Sequence, residues 1–340
     1  MGRPMKLPSD KVARLRSAYA GKGVCVTGGT GFIGGHLVDA LVSLGANVKV
    51  IDDLSNSTLE HLAGLIELEP ERVRFVHGSV LDDEAMATAV EECQCVFHLA
   101  AMGSVPRSID EPQRTWSVNA TGTLRVLEAA RRAGATRVVF AASSSAYGDQ
   151  PTLPKVETML PQPLSPYAVS KLAGEQLLSV WAHSYGLSTV SLRYFNIFGP
   201  RQSADSAYAA VVAAFAKALL AGEAPVIYGD GTQTRDLTFV SNAVLATLLS
   251  GASAAKLNGQ VVNVGTGRRV SILDLATTMA QQCGVPHVAP VFRPERAGDV
   301  KHSQADIGLA KQLLGYEPVT MMEDGLQETV EWFKRTLAGA

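Results

Sequence analysis

The chain has 340 residues, 46% of them apolar and 18% charged, enough for a large buried core and for two lobes. A formal net charge of −2 and the lack of a dense Lys/Arg stripe leave no broad basic field; this excludes nucleic acid as the main partner and requires any anion to be bound locally. Cys25, Cys93, Cys95 and Cys283 show neither CxxC spacing nor a disulfide framework, so they read as packing residues in a reducing compartment, with no metal site.

Met1 to Ala20 carries Arg3, Lys6, Lys11, Arg14 and Arg16 and lacks the apolar run of a signal peptide. No stretch approaches about 18 consecutive apolar residues, so a cytoplasmic protein with no membrane partner is expected. Asp10 followed by Val12, Leu15 and Tyr19 predicts a capped amphipathic helix leaning on the domain after it. From Gly23 onward, short Val-rich runs alternate with longer helical patterns, the mark of an α/β fold with a doubly wound parallel sheet of Rossmann type. Strands are expected at Val24 to Thr27, Asn47 to Ile51, Arg74 to His77, Cys95 to Leu99, Arg137 to Ala141 and Ser188 to Arg193, and helices at Gly34 to Leu44 and Asn119 to Ala133. The chain beyond Tyr194 should build a smaller α/β substrate lobe, with one return to the sheet near Val261 to Val264. The expected division is a dinucleotide-binding domain of residues 1–193 plus a return segment 237–266, and a second lobe of residues 194–236 and 267–340.

The run Val24-Cys25-Val26-Thr27-Gly28-Gly29-Thr30-Gly31-Phe32-Ile33-Gly34 reads as strand, tight turn and helix start. Glycines at 28, 31 and 34 let the turn form, let a pyrophosphate approach backbone N–H groups, and let helix and strand pack closely. The next strand ends in Asp52-Asp53, at the distance expected for an acidic residue on the adenosine ribose, which would repel a 2′-phosphate and so favours NAD over NADP. A turn or capping role for Asp52 is the plainer alternative. Asn56 and Ser57 are further candidates near the adenosine, while Ser79-Val80 and Leu99-Ala100-Ala101 end later strands with small or apolar residues.

The chemistry is expected at Tyr167-Ala168-Val169-Ser170-Lys171, preceded by Ser143-Ser144-Ser145 at the end of a Val-rich strand. Four residues apart on a helix, Tyr167 and Lys171 share a face. The ammonium could hold the cofactor ribose and, with the positive nicotinamide ring, draw the phenol from its ordinary pKa of about 10 toward neutrality, making Tyr167 a general base. Ser143 would share the hydrogen bond to the substrate hydroxyl. Strand-end capping is the plain reading for one or two of the three serines.

Taken with His98-Leu99-Ala100-Ala101, Asn119-Ala120-Thr121-Gly122-Thr123, Tyr147-Gly148 and Arg193-Tyr194-Phe195-Asn196, these strings resemble the extended short-chain dehydrogenase/reductase family from about Gly23 to Trp332. Within it, Met102-Gly103-Ser104-Val105-Pro106-Arg107-Ser108 and Ser143 to Asp149 are most similar to bacterial UDP-N-acetylglucosamine 4-epimerases. The resemblance implies NAD as cofactor, with Asn119 and Tyr194 joining the cofactor residues, and a transient 4-keto sugar in a 4-epimerisation of a UDP-hexose. It implies a substrate site of Gly103, Ser104, Ser143, Ser144, Ser145, Tyr167 and Asn196, with Ala210, Val211, Val226 and Tyr228 around uracil, Arg235 and Arg296 on the diphosphate, and Asp299 on the uridine ribose.

Where relatives that reject N-acetylated sugars carry a tyrosine, four residues after the match to Asp299, this chain has Ser303, so room for an acetamido group is expected. Ser79 departs from a family aspartate that meets the adenine. The family also implies a homodimer through a four-helix bundle built from the segments Pro106 to Ala133 and Tyr167 to Tyr185. The alternatives are a UDP-glucuronate 4-epimerase or decarboxylase, in which Arg107 or another base would face the carboxylate; a 4,6-dehydratase, which would need an acidic pair where Ser144 and Ser145 stand; and a non-catalytic NAD-sensing regulator, which the intact Ser143, Tyr167 and Lys171 oppose.

Overall fold

The computed structural model describes residues 7–204, 210–295 and 300–338. Its centre is a seven-stranded sheet. Strands β1 (Gly23–Thr27), β2 (Asn47–Asp52), β3 (Val73–His77), β4 (Cys95–His98), β5 (Arg137–Ser143) and β6 (Ser188–Tyr194) are joined by a last strand, Asn258–Val264. The order is β3-β2-β1-β4-β5-β6 and then Asn258–Val264, with every neighbour parallel. Alternation along a strand explains the Val-rich runs, because both faces are covered. In β5, Val139 and Ala141 join one buried cluster, while Val138, Phe140 and Ala142 join the cluster on the other face, each fully buried aliphatic side chain contributing about 1.5–3 kcal/mol.

Every expected strand is present, and the return near Val261 extends back to Asn258. Three helix expectations change. The helix before β1 runs from Ser9 to Tyr19, and Pro8 rather than Asp10 is its N-cap; Asp10 lies in the first turn, paired with Lys11 at 3.1 Å. As expected, this helix leans on the domain: Leu15 and Tyr19 are buried, and the Tyr19 hydroxyl donates to the Leu248 carbonyl at 2.6 Å. The helix after β1 starts at Phe32, earlier than expected. The segment from Pro106 to Ala133 is broken into Val105–Asp110, Pro112–Trp116, a π-turn at Ser117–Thr121, and Gly122–Arg132. Pro112 stands at the start of its helix, where a missing N–H is tolerated but an unbroken helix through it is not. Among the described residues no helix is long and apolar enough to cross a membrane.

The chain leaves β1 toward β2 on one side, while β4 pairs with β1 on the other. That reversal opens a crevice at the carboxyl ends of β1 and β4, where ligands of such sheets bind. Gly28 turns the chain there with φ of +71°, and a Cβ on it would lie 2.7 Å from the Ala100 nitrogen. Gly34 brings the following helix onto the turn so closely that a Cβ would meet the Gly28 carbonyl oxygen at 2.1 Å. At Gly31 a Cβ would meet only that oxygen, at 3.3 Å. Gly34→Ala should therefore cost about 1–3 kcal/mol in chemical denaturation, whereas Gly31→Ala should stay within about 1 kcal/mol of the parent; equal losses would contradict this division of roles.

Candidate active site

A cleft of about 710 Å³ opens at the carboxyl ends of β1, β2, β4 and β5. One end is built from Gly28, Gly31, Phe32, Ile33 and Gly34, with Asp52, Asp53, Asn56, Ser57, Ser79, Val80, Leu99, Ala100 and Ala101 around it. The helix starting at Phe32 has Gly31 as N-cap, with no capping side chain and no acid in its first turn, so its amide groups can receive an anion. Asp52 accepts from the Thr30 and Leu54 amides at 3.1 and 3.0 Å and faces Ser57 Oγ at 3.4 Å. Those bonds give Asp52 its turn role and fix the carboxylate in the wall of the cleft. Thr30 and Ser57 hydroxyls, 2.6 Å apart, link the glycine turn to the loop after β2. The backbone cradle at Gly31 and the fixed carboxylate beside it fit a dinucleotide whose ribose hydroxyls are free.

At the centre stand Ser143, Tyr167 and Lys171. Ser165 caps their helix, Pro166–Tyr185, by accepting from the Ala168 amide at 3.1 Å, which sets Tyr167 and Lys171 one turn apart. Lys171 is 3% exposed; its ammonium donates to the Ala141 carbonyl at 2.7 Å and lies 4.7 Å above the Phe140 ring. Burial holds its pKa down to about 7, partly opposed by Glu175. Burial likewise raises Tyr167, and the group opposing that rise is Ser143, by a side-chain hydrogen bond. In the chain itself burial therefore outweighs Ser143 at the phenol.

Beneath the cleft runs a relay of buried hydrogen bonds. Thr123 Oγ1 donates to the Asn119 carbonyl at 2.5 Å, so it accepts from His98 Nε2 at 3.0 Å; His98 Nδ1 then accepts from Thr27 Oγ1 at 2.8 Å, which accepts from the Ala100 amide at 3.1 Å. Burial pushes His98 down to about 3, in keeping with this neutral tautomer. Asn119 does not line the cleft. It grips the Met102 amide at 2.8 Å and donates to Ser170 Oγ at 3.0 Å, so it positions the loop after β4 against the helix of Tyr167. The π-turn that carries it could not be read from a helical pattern.

The other end of the cleft holds Gly103, Ser144, Ser145, Tyr194, Asn196, Ala210, Arg235 and Ser303. Tyr194 hydroxyl is tied to Thr247 Oγ1 at 2.6 Å, and Asn196 Nδ2 lies 3.5 Å from Ser303 Oγ. Ser104, Val211, Val226 and Tyr228 are not brought to the lining. Ser104 caps the helix Val105–Asp110, Val211 begins a helix, and Val226 and Tyr228 pair with Val291–Arg293 in a small side sheet. Arg296 and Asp299 lie outside the described residues. Lining residues absent from the expected set include Arg107, Lys155, Gln202 and His302. Arg107 donates to Asn56 Oδ1 at 2.6 Å, a contact across loops after two different strands that no spacing rule reveals.

Lys171 has a pH signature. Between about 7 and its ordinary 10.5 the unfolded lysine binds a proton that the folded one does not, so the stability of the ligand-free protein should rise with pH across that window. Lys171→Met should flatten the rise in denaturation midpoints measured from pH 7 to 10; an unchanged slope would contradict the burial of the charge.

Residues 24–265 match the NAD dependent epimerase/dehydratase family. A UDP-glucose 4-epimerase of Mycolicibacterium smegmatis is 40% identical over 311 residues, 91% of this chain and 97% of that one. Among solved structures, the UDP-N-acetylglucosamine 4-epimerase of Methanobrevibacter ruminantium in complex with UDP-N-acetylmuramic acid matches with a TM-score of 0.87 at 38% identity, covering 93% of this chain and 99% of that one. The Thermus thermophilus UDP-glucose 4-epimerase in complex with NAD matches with a TM-score of 0.82 at 35% identity, covering 92% and 99%. Glycine turn, strand-end carboxylate, serine, tyrosine and lysine converge in one crevice of a fold shared along nearly the whole chain: the protein belongs to the NAD-dependent epimerase/dehydratase family.

Proposed function

We propose that the chain catalyses the NAD-dependent 4-epimerisation of a UDP-hexose through a transient 4-keto sugar, with UDP-GlcNAc and UDP-GalNAc as its preferred pair and UDP-Glc and UDP-Gal also accepted. The observation that carries this reading is the convergence of Ser143, Tyr167 and Lys171 in the cleft whose other wall is the Gly28 turn. The glycine turn, Asp52, Asp53 and Lys171 would hold NAD. When bound, NAD supplies a hydride acceptor that later returns the hydride, and a positive ring that favours the phenolate.

Tyr167, as phenolate, takes the proton from the sugar O4 while Ser143 shares that hydrogen bond and fixes its direction. Carbon 4 becomes a carbonyl. Arg235 and Asn196 hold the diphosphate end, so the ring can turn about that linkage and offer its other face. Gly103, Ser144 and Ser145 present small groups and leave room for the turn. Tyr167 then returns the proton to O4 with the opposite configuration at carbon 4, and no net redox change results. Ser144 and Ser145 offer no acid and base for eliminating water, which supports epimerisation over dehydration.

The same reading assigns residues 1–193 and 237–266 to the NAD domain, and residues 194–236 and 267–340 to the nucleotide-sugar lobe. It makes the protein a cytoplasmic homodimer. In support of a four-helix bundle, Ile109, Trp116, Leu124, Val169, Val180 and Tyr185 are exposed on the helical segments expected to form it.

Ser303 decides the sugar: it lines the cleft and is 8% exposed, so a tyrosine there would fill the space an acetamido group needs. Purified protein incubated with UDP-GlcNAc should form UDP-GalNAc by NMR, and turnover of UDP-glucuronate in its place would contradict the assignment. Ser303→Tyr should lower kcat/KM for the N-acetylated pair by on the order of a hundredfold and spare UDP-glucose; equal loss on both would show that Ser303 does not set the sugar.

A further inference from the structure

One side chain that the mechanism leaves unused stands in the cleft with half of its hydrogen-bonding capacity unspent. His302 lines the cleft beside Ser303, Val300 and Arg235. Its Nδ1 lies 3.0 Å from Thr234 Oγ1, and its backbone is locked to the same residue: Thr234 N donates to Lys301 O at 3.0 Å and Ser303 N donates to Thr234 O at 3.1 Å. Thr234 Oγ1 has no other hydrogen bond among the described residues, so it is free to donate to Nδ1, an arrangement that leaves the ring proton on Nε2. That Nε2 has no partner among the described residues.

The carboxylates of the cleft are segregated. Asp52 and Asp53 stand together at the end of β2, whereas the substrate half carries the cations Lys155 and Arg235 beside His302 and no carboxylate among the described lining residues. Such a wall fits a ligand with more than one anionic group. Lys155 is committed to the Gln150 carbonyl, and two of the Arg235 donor contacts go to the Thr234 and Lys301 carbonyls. The imidazole Nε2 is a donor position on this wall that no group of the described residues occupies.

We propose that His302 is a substrate-binding residue whose Nε2–H donates to a diphosphate oxygen of the UDP-sugar, with Thr234 as the residue that positions it; this rests on the UDP-sugar reading above. The contact is made equally in the ground state and at the transition state, because the diphosphate does not react, so it should govern KM rather than kcat.

The test is calorimetry on NAD-loaded protein with UDP and with uridine as probes, beside steady-state kinetics with UDP-GlcNAc. His302→Leu should weaken UDP binding on the order of tenfold to a hundredfold, raise KM by the same factor, leave kcat within about threefold and leave uridine binding unchanged. Thr234→Val, which keeps both backbone bonds, should produce a smaller loss in the same direction and covers the case in which His302→Leu fails to fold, as judged by NAD content and thermal midpoint. Unchanged UDP affinity in both variants overturns the proposal. Equal weakening of UDP and uridine does so too, since the contact would then lie outside the diphosphate. A parent protein that binds UDP but exchanges no UDP-hexose sinks the functional reading alone, because the calorimetric comparison still decides the role of His302.

Discussion

A buried ammonium tied to one strand-end carbonyl is the constraint on which the rest of this molecule depends. Lys171 reaches Ala141 from the helix Pro166–Tyr185, and in doing so fixes that helix against the end of β5 and sets Tyr167 beside Ser143. The charge is expensive to keep there: burial brings its pKa down to about 7, and the Phe140 face 4.7 Å away returns only part of that cost. A lysine held this way trades stability for position, which is the usual bargain at a catalytic centre.

The scaffold around it is correspondingly rigid. The relay through Thr27, His98, Thr123 and Asn119 ties the ends of β1 and β4 to the helical segment after them, and Asn119 carries the tie on to Ser170. Deeper in, Arg193 and Glu175 form a two-pronged buried pair at 2.8 and 2.7 Å, with the guanidinium 4.4 Å over the Tyr147 ring. Breaking either partner would strand a charge in the core. Such networks specify one arrangement of the strand ends, and the cleft inherits that precision without containing any of these groups at its reacting centre.

Much of this was legible in the residues because it rests on local rules. Alternating Val-rich runs mark a sheet covered on both faces, the three glycines mark a backbone approach, and a four-residue spacing puts Tyr167 and Lys171 on one helix face. The features that escaped depend on contacts between distant segments. Nothing in the neighbourhood of Asn119 tells that its side chain is consumed by Met102 and Ser170, and a helical pattern cannot register a π-turn. His302 becomes notable only once Thr234 is beside it, and the contact of Arg107 with Asn56 only once the two loops meet. Tyr228 offers a stacking face in isolation, yet its strand is committed to Val291–Arg293. The phenol's lowering was expected from Lys171 together with a bound nicotinamide ring, while burial in the chain itself, which raises Tyr167 and lowers Lys171, depends on packing that the local sequence does not register.

The central claim is that Tyr167 moves the proton at the sugar O4. Its most direct test is single-turnover epimerisation of UDP-GlcNAc by Tyr167→Phe, with bound NAD quantified in the same samples. A fall of about 10² to 10⁴ in rate at undiminished NAD content is the predicted result; a phenylalanine variant that exchanges the sugar at the parent rate would contradict it.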